Sequence, residues 1–281
     1  MPRPVLSTAD HSRDSAGLRY VYHVLSRRAG GVSVGINLNP NNACNWRCVY
    51  CQVPDLKRGG PPPLAIGLLE SELNEFLRRV TSADFFPPDM PHEMRHIVDV
   101  AFSGNGEPTS ASEFGAALEL VAQVLERHGL AGDVKIRLIT NGSLVDRVAI
   151  RSALMRLGQL GGEAWFKVDA ASPGGVQRIN GVRLKPETVR RRLELCAGLV
   201  PTWVQTCVFA WDGAAPMDAE IDAYLNLLRG VRTSVAGVLL YGLARPSCQP
   251  EAPRLGRLPE PWLIALGGRI EQLGLTVRVS P

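Results

Sequence analysis

Three cysteines stand close together in the segment NNACNWRCVYCQVP, residues 41–54. Cys44, Cys48 and Cys51 form a C-x3-C-x2-C pattern, in which only the second pair has the short spacing that structural zinc sites use twice. Three thiolates on one loop suit a cubane iron–sulfur cluster instead, because three irons each take a cysteine and the fourth stays open. The spacing therefore predicts a 4Fe–4S cluster with one reactive iron.

The elements that must hold this loop alternate along the chain between apolar runs and amphipathic helical stretches, a pattern typical of a parallel sheet covered by helices. Six strands are predicted at residues 34–39, 97–104, 134–140, 164–170, 203–210 and 235–243. Six helices are predicted at residues 68–80, 113–128, 144–158, 186–199, 217–230 and 260–273. We therefore expect an α/β fold, a partial parallel barrel of about six strand–helix units.

Polar segments follow the predicted strands at their C-terminal ends, where barrels of this class gather their chemistry. The cysteine loop follows the first strand, GNGEP (104–108) the second and NGS (141–143) the third, while DAASP (169–173) ends the fourth. We expect these four segments to meet at one end of the barrel.

The cysteine pattern, with Tyr50 before its last cysteine, resembles the signature of the radical SAM superfamily. SGNGEP, KVDAASP and YGLARPS are similar to further segments of that superfamily. The run GGVSVGINLNPNNACNWRCVYCQVP looks most like the branch of Fe–S oxidoreductases that includes the wyosine-type tRNA-modifying enzymes, and the likeness extends from about residue 30 to the C-terminus. Archaeal members of that branch carry further N-terminal cysteines for a second cluster, whereas residues 1–43 contain none.

The resemblance implies a partial (β/α)6 barrel of the radical SAM type, with Cys44, Cys48 and Cys51 as cluster ligands. It also implies that S-adenosylmethionine (SAM) binds at the open iron. An electron from a low-potential donor such as flavodoxin or ferredoxin then cleaves SAM to a 5′-deoxyadenosyl radical. The implied SAM contacts are Tyr50, Gly104, Gly106, Glu107, Asn141, Lys167, Asp169, Ser172, Tyr241 and Arg245.

Within the implied set of SAM contacts, Lys167 and Asp169 are expected near the carboxylate and the ribose, and Tyr241 and Arg245 near the adenine. The resemblance further implies that the radical abstracts hydrogen from a substrate at the barrel mouth. A tRNA base is one candidate substrate, and a peptide or small metabolite of a biosynthetic pathway is the alternative. The net charge of +4 permits an RNA partner without indicating one.

A second class of enzyme is suggested by HEMRH, residues 92–96, which formally matches the H-E-x-x-H motif of zinc-dependent hydrolases. Glu119 lies at a plausible sequence distance for a third ligand. That motif needs a helix to bring both histidines to one face, yet a Pro-rich segment precedes it and a predicted strand follows at once. The sequence leaves room for a single helical turn there.

The length of 281 residues and the 45% hydrophobic content suit one large globular domain. We predict a core domain at residues 31–281 and an N-terminal extension at residues 1–30. The sequence shows neither an apolar run of the ~20 residues that a membrane helix needs nor the apolar region of a signal peptide, which predicts a cytoplasmic protein without a membrane partner.

The other three cysteines are Cys196, Cys207 and Cys248, which are far apart in the sequence, unlike the ligands of an auxiliary cluster. We interpret them as core or spare thiols. Cys207 lies on a predicted strand, where an inward-facing position would bring it to the substrate.

Overall fold

The computed structural model describes residues 17–26, 31–80, 85–86, 90 and 92–281. The strands are β1 (Val21–Ser26), β2 (Gly31–Ile36), β3 (Ala43–Cys44), β4 (Lys57–Arg58), β5 (Ile97–Phe102), β6 (Lys135–Thr140), β7 (Glu163–Lys167), β8 (Thr202–Cys207), β9 (Ala210–Trp211), β10 (Gly237–Tyr241), β11 (Leu255–Gly256) and β12 (Val277–Ser280). The helices are α1 (Ile66–Val80), α2 (Phe114–Arg127), α3 (Val148–Gln159), α4 (Pro173–Asn180), α5 (Pro186–Ala197), α6 (Asp218–Val231) and α7 (Glu260–Glu271).

The central sheet has eight strands in the order β1-β2-β5-β6-β7-β8-β10-β12. Within this sheet all strands except β1 run parallel to one another, and helices cover the outer face of this curled half-barrel. The predicted α/β fold with a partial parallel barrel is confirmed, because each of the six predicted strands and helices overlaps an observed one. Among the described residues, no helix is long and apolar enough to cross a membrane.

Strand β1 forms one edge of the sheet, where it pairs antiparallel with β2. Tyr22 is the register partner of Gly35, and a Cβ at residue 35 would lie 2.1 Å from the Tyr22 ring. Only glycine therefore lets this ring lie against β2. The predicted domain boundary at residue 31 falls between these two paired strands, so residues 21–26 share the sheet with the core.

Alternation along the parallel strands separates the apolar core from the barrel interior. Val34, Val100, Leu138 and Phe166 face the helices in the hydrophobic core, and burying one such side chain stabilises the fold by about 1.5–3 kcal/mol. The same strands also carry polar side chains that line the interior cavity: Ser33, Asp99, Arg137, Lys167 and Gln205. Because side chains alternate along each strand, the apolar residues that stabilise the fold lie on one face of the sheet, and the polar residues that line the cavity lie on the other.

The segment that leads into β1 is fixed by one buried carboxylate on α1. Glu72 accepts hydrogen bonds from the backbone N–H groups of Arg19 at 2.9 Å, Tyr20 at 2.8 Å and Val21 at 3.2 Å. A charged acceptor with three backbone donors is a strong anchor, since hydrogen bonds to ionised groups exceed neutral ones. Glu72 therefore attaches the edge of the sheet to its first helix.

We expect Glu72→Gln to lower the free energy of unfolding by about 1–3 kcal/mol, because the amide offers one acceptor oxygen and turns an NH2 group toward backbone donors. Urea denaturation followed by circular dichroism measures this change. The matched control is Glu75→Gln on the same helix, where the exposed Glu75 forms a surface ion pair with Arg78; it should stay within about 0.5 kcal/mol of the parent. Equal stabilities of the two variants would contradict this role for Glu72.

Candidate functional site

A cavity of about 330 Å³ opens among the loops at the C-terminal ends of the strands and continues into the barrel. It brings together eleven of the thirteen side chains and glycines expected from the sequence to form the site. Those that line it are Cys44, Cys48, Cys51, Tyr50, Gly104, Gly106, Glu107, Asn141, Lys167, Tyr241 and Arg245. Asp169 and Ser172 are not among the residues that line this cavity.

The cysteine loop is held on one side by the C-terminal end of α4. The backbone N–H of Arg47 donates to Asn180 O at 3.1 Å, and that of Val49 donates to Ile179 O at 2.8 Å. The Arg47 guanidinium also forms two hydrogen bonds of 3.0 Å with the Glu251 carboxylate. Such a fork-shaped pair fixes orientation as well as distance.

A segment near the C-terminus holds the same loop from the other side. Ser247 Oγ donates to Val49 O at 2.7 Å, and Gln249 Nε2 donates to Val53 O at 2.9 Å. The loop backbone is therefore fixed by contacts with parts of the chain that lie far from it in sequence.

The thiols of Cys44 and Cys48 are surrounded by protein, and burial raises the pKa of Cys44 to about 11 and that of Cys48 to about 12. Donors nevertheless point at both sulfurs: Trp46 N lies 3.4 Å from Cys44 Sγ, and Asn180 Nδ2 lies 3.3 Å from Cys48 Sγ. In the described part of the chain, no three His, Cys, Asp or Glu side chains are gathered in a metal-binding arrangement. The three sulfurs thus share a cavity without converging on one point.

Three cysteine sulfurs, two of them with an N–H donor nearby, fit an iron–sulfur cluster, since thiolates are the usual ligands of such clusters and hydrogen bonds to sulfur tune their potentials. A second chemical feature beside them fits a cationic ligand. The Oδ1 atom of Asn105 is buried in the cavity wall and has no hydrogen-bond partner among the described residues, while its Nδ2 donates to Asn42 Oδ1 at 2.6 Å. An unpaired buried acceptor calls for a donor such as an ammonium group.

The glycines of GNGEP are required by close packing against the segment before the cysteines. A Cβ at Gly106 would lie 2.1 Å from Ala43 O, and one at Gly104 would lie 2.4 Å from Asn37 Oδ1. Gly104 also has a φ of 143°, which other residues rarely adopt. Both glycines therefore let the two loops touch.

Glu107 links the loops that follow β5 and β6. Its buried carboxylate accepts hydrogen bonds from Thr109 Oγ1 at 2.6 Å, Thr140 Oγ1 at 2.6 Å and Asn141 N at 2.7 Å. Burial raises the pKa of Glu107 although these bonds favour the ionised form. The carboxylate thus serves first to hold the cavity wall together.

Asp169 lies behind Tyr50 and does not line the cavity. Its carboxylate accepts hydrogen bonds from Tyr50 Oη at 2.6 Å, Asn180 Nδ2 at 2.8 Å and Cys207 N at 3.0 Å. Burial raises the pKa of Tyr50 well above its usual value, so its hydroxyl stays protonated as the donor. In this structure Asp169 positions the cysteine loop, whereas a contact with ribose was expected.

Ser172 caps α4 and likewise lies away from the cavity lining. Its Oγ accepts from Gly175 N at 2.9 Å and donates to Glu220 Oε1 at 2.5 Å. Ser at the N-cap followed by Pro at the first helical position is a frequent helix start, and this signal could have revealed α4 in the sequence.

Lys167 carries positive charge into the cavity. Burial alone would lower its pKa, but Tyr241 and the Asp169 carboxylate raise it above its ordinary value, so the ammonium form persists. Its Nζ lies 4.9 Å from the centre of the Tyr50 ring. The arrangement can bind an anionic group next to the cysteine loop.

Four further polar or aromatic residues line the deeper part of the cavity and were missed in the sequence: Asp99, Arg137, Trp165 and Gln205. Each occupies an inward position of a predicted strand. The signal was present, because a polar residue inside an otherwise apolar strand is costly unless it faces a polar interior.

The HEMRH segment does not form a zinc site in this structure. His92–Met94 is a single 3-10 turn, and β5 begins at Ile97, so the two exposed histidines do not share a helix face. Glu119 is paired with Arg156 at 2.7 Å and 3.2 Å. The zinc-hydrolase alternative is therefore wrong as the sequence suggested it.

The remaining cysteines differ in their surroundings. Cys196 is buried in α5, Cys248 is exposed, and Cys207 lines the cavity from the end of β8. Cys207, which was interpreted as a core or spare thiol, therefore lies at the inward-facing position that the sequence left open.

Residues 38–211 match the family model of the Radical SAM superfamily. Among curated proteins, the chain is 29% identical over 161 residues to the UPF0026 protein slr1464 of Synechocystis sp. and 25% identical over 156 residues to the GTPase Obg of Brachyspira hyodysenteriae. These matches cover 57% and 54% of this chain, but only 52% and 20% of the two relatives. The chain thus spans about half or less of the curated relatives that it matches.

Two solved structures share the fold. A radical SAM methyltransferase from Sphaerobacter thermophilus superposes with a TM-score of 0.62 at 17% identity, over 92% of this chain and 68% of that one. TYW1 with a lysine-pyruvate adduct bound superposes with a TM-score of 0.57 at 15% identity, over 87% of this chain and 74% of that one. At these identities the similarity establishes a common architecture.

We expect Gly106→Ala to lower the free energy of unfolding by about 1–3 kcal/mol, because the added methyl group forces apart two loops that touch at the cavity. Chemical denaturation measures the change. Gly115→Ala on α2 is the matched control, since its Cβ would meet nothing within 4 Å; it should be neutral or stabilising by up to about 1 kcal/mol. An unchanged stability of Gly106→Ala would show that the loops can move apart freely.

Proposed function

Because its family model matches more than half of the chain, the protein belongs to the radical SAM superfamily, and we propose that it is an enzyme that binds a 4Fe–4S cluster through Cys44, Cys48 and Cys51 and cleaves SAM. The observation that carries the proposal is the common cavity of the three cysteines, the Lys167 ammonium and the unpaired Asn105 oxygen. Three sulfur ligands, a cation and a free acceptor are what a cluster and the carboxylate and amino groups of SAM require.

When bound, the cluster supplies the electron that splits SAM into methionine and a 5′-deoxyadenosyl radical, which abstracts hydrogen from a substrate. Lys167 offers its ammonium group to the SAM carboxylate, and Asn105 Oδ1 accepts from the SAM amino group. Asn180 donates to the sulfur of Cys48 and so adjusts the stability of the reduced cluster. Tyr241 and Arg245 remain the candidates for enclosing the adenine.

The cavity must also exclude water, because a carbon radical is quenched by side reactions in an open site. Val53 and Leu243 are apolar lining residues, and Arg245 lies across the wall, donating to Gln52 Oε1 at 3.0 Å. These residues form a partly apolar rim next to the cysteine loop.

Anaerobic reconstitution with iron and sulfide tests the proposed cofactor chemistry. The protein should bind about four irons and, with dithionite and SAM, release 5′-deoxyadenosine detected by mass spectrometry. Cys48→Ala should lose most of the cluster and the product, because one of three ligands is missing. Cys248→Ala, which removes an exposed thiol outside the set, should retain both. Intact SAM with a fully loaded wild-type protein would overturn the proposal.

As substrate we propose a tRNA base, which is what the sequence resemblance to the wyosine-type enzymes implies. Lys57 on β4 supports this choice, because it is exposed and pairs with Ala43 at the start of the cysteine loop. Positive side chains beside the cavity are suited to phosphate contacts. A small metabolite or peptide is the alternative, and a ferredoxin or flavodoxin is the proposed electron donor.

If tRNA is the substrate, its affinity should fall steeply with salt, and Lys57→Gln should reduce the slope of log K against log salt by about 1. Fluorescence anisotropy with labelled bulk tRNA measures this affinity between about 50 and 200 mM KCl. Over that range, a protein that contacts 6–10 phosphates loses about 10³-fold or more in affinity. Lys135→Gln, an exposed lysine at the opposite end of the sheet, should leave the slope unchanged. Weak binding with no salt dependence would favour the small-metabolite alternative.

A further inference from the structure

The cavity continues below the cysteines and Lys167 into the barrel, where the inner faces of β5 to β8 carry Asp99, Arg137, Trp165 and Gln205. We call Arg137, Trp165 and Gln205 the barrel floor. None of the three is involved in the proposed binding of the cluster or of SAM. Lys167 and Gln205 are register partners on β7 and β8, so the barrel floor adjoins the part of the cavity that is proposed to bind SAM.

Arg137 is held rigidly by two carboxylates. Its Nε donates to Glu163 Oε1 at 2.7 Å, and its Nη1 donates to Asp99 Oδ2. Ser33 Oγ donates to the other oxygen of Asp99, and the Arg137 guanidinium lies 4.9 Å from the centre of the Trp165 ring. The two carboxylates more than offset the single positive charge of the arginine, so the barrel floor does not select an anion. Nη2 is the terminal nitrogen that neither carboxylate uses.

Gln205 provides the complementary group. It is only 2% exposed, and its Oε1 is buried without a hydrogen-bond partner in the part of the chain that the structure describes. A buried amide that makes no bond with its carbonyl oxygen destabilises the folded state, so such a group is usually explained by a ligand or another function. A glutamine side chain accepts through Oε1 and donates through Nε2, and it therefore pairs best with a partner that carries an N–H beside a C=O.

Resting on the proposed function, we propose that the barrel floor binds the substrate through a neutral cis-amide edge, as in a lactam ring. Gln205 accepts the N–H and donates to the C=O, and Arg137 Nη2 is a second donor to the same carbonyl. The flat indole of Trp165 suits a planar ring. The group that presents this edge is held next to the SAM site, where hydrogen abstraction requires it.

The probes are hypoxanthine, a lactam with an N1–H, and 1-methylhypoxanthine, which lacks that hydrogen. Equilibrium dialysis against the anaerobically reconstituted protein with SAM and without reductant measures both affinities. Hypoxanthine should bind about tenfold or more tightly, because the methylated base leaves Gln205 Oε1 unpaired and adds a clash. Equal binding of the two bases by the wild-type protein overturns the inference, and this comparison needs no variant.

Gln205→Met should abolish the preference for hypoxanthine, since methionine keeps the size of the side chain and removes both polar atoms. Gln123→Met, the same change at an exposed position of α2, should keep the preference. A preference that persists in Gln205→Met overturns the role of this residue. Formation of 5′-deoxyadenosine by the wild-type protein is measured separately: cleavage without discrimination refutes the barrel floor alone, and discrimination without cleavage refutes the proposed function while supporting the lactam site.

Discussion

The arrangement of the site depends on one buried carboxylate. Asp169 receives hydrogen bonds from the Tyr50 hydroxyl in the cysteine loop, the Asn180 amide at the end of α4 and the backbone of Cys207 on β8. The Asn180 amide nitrogen also contacts the Cys48 sulfur. A buried carboxylate is tolerable only with such a set of donors, so the requirement to satisfy Asp169 fixes loop, helix and strand relative to one another.

Elsewhere in the barrel, too, buried polar groups need hydrogen-bond or ion-pair partners. Inward-facing ions and amides cost free energy on folding, and the partners around Glu107, Asp99 and Glu163 offset this cost only in part. The outer face supplies the stability, through an almost continuous layer of Val, Leu, Ile and Phe beneath the helices. The buried polar side chains are gathered around the cavity, where a bound ligand can supply their missing hydrogen-bond partners.

Much of this arrangement could be predicted from the sequence, because periodicity indicates the strands and helices, and the loops that follow parallel strands lie at one end of the sheet. Lys167 and Asp169 show the limit of that reasoning. The resemblance implied that both contact SAM, but β7 ends at Lys167 and Asp169 does not line the cavity. Beyond the last paired residue the alternation no longer holds, and the Asp169 side chain turns toward Tyr50. Which side chains of a loop face the cavity is a tertiary fact that spacing does not encode.

The contacts around the cysteine loop also set an order of events during folding. Arg47 pairs with Glu251 across 204 residues, and Ser247 reaches Val49 across 198 residues. Contacts so distant in sequence form late, since the chain entropy of closing such loops is lost before the contact is gained. On the ribosome, the three cysteines emerge long before the segment that holds their loop has been synthesised. An N-terminal fragment that ends before residue 247 would lack both contacts, so it would expose the three cysteines on a loop without a fixed conformation.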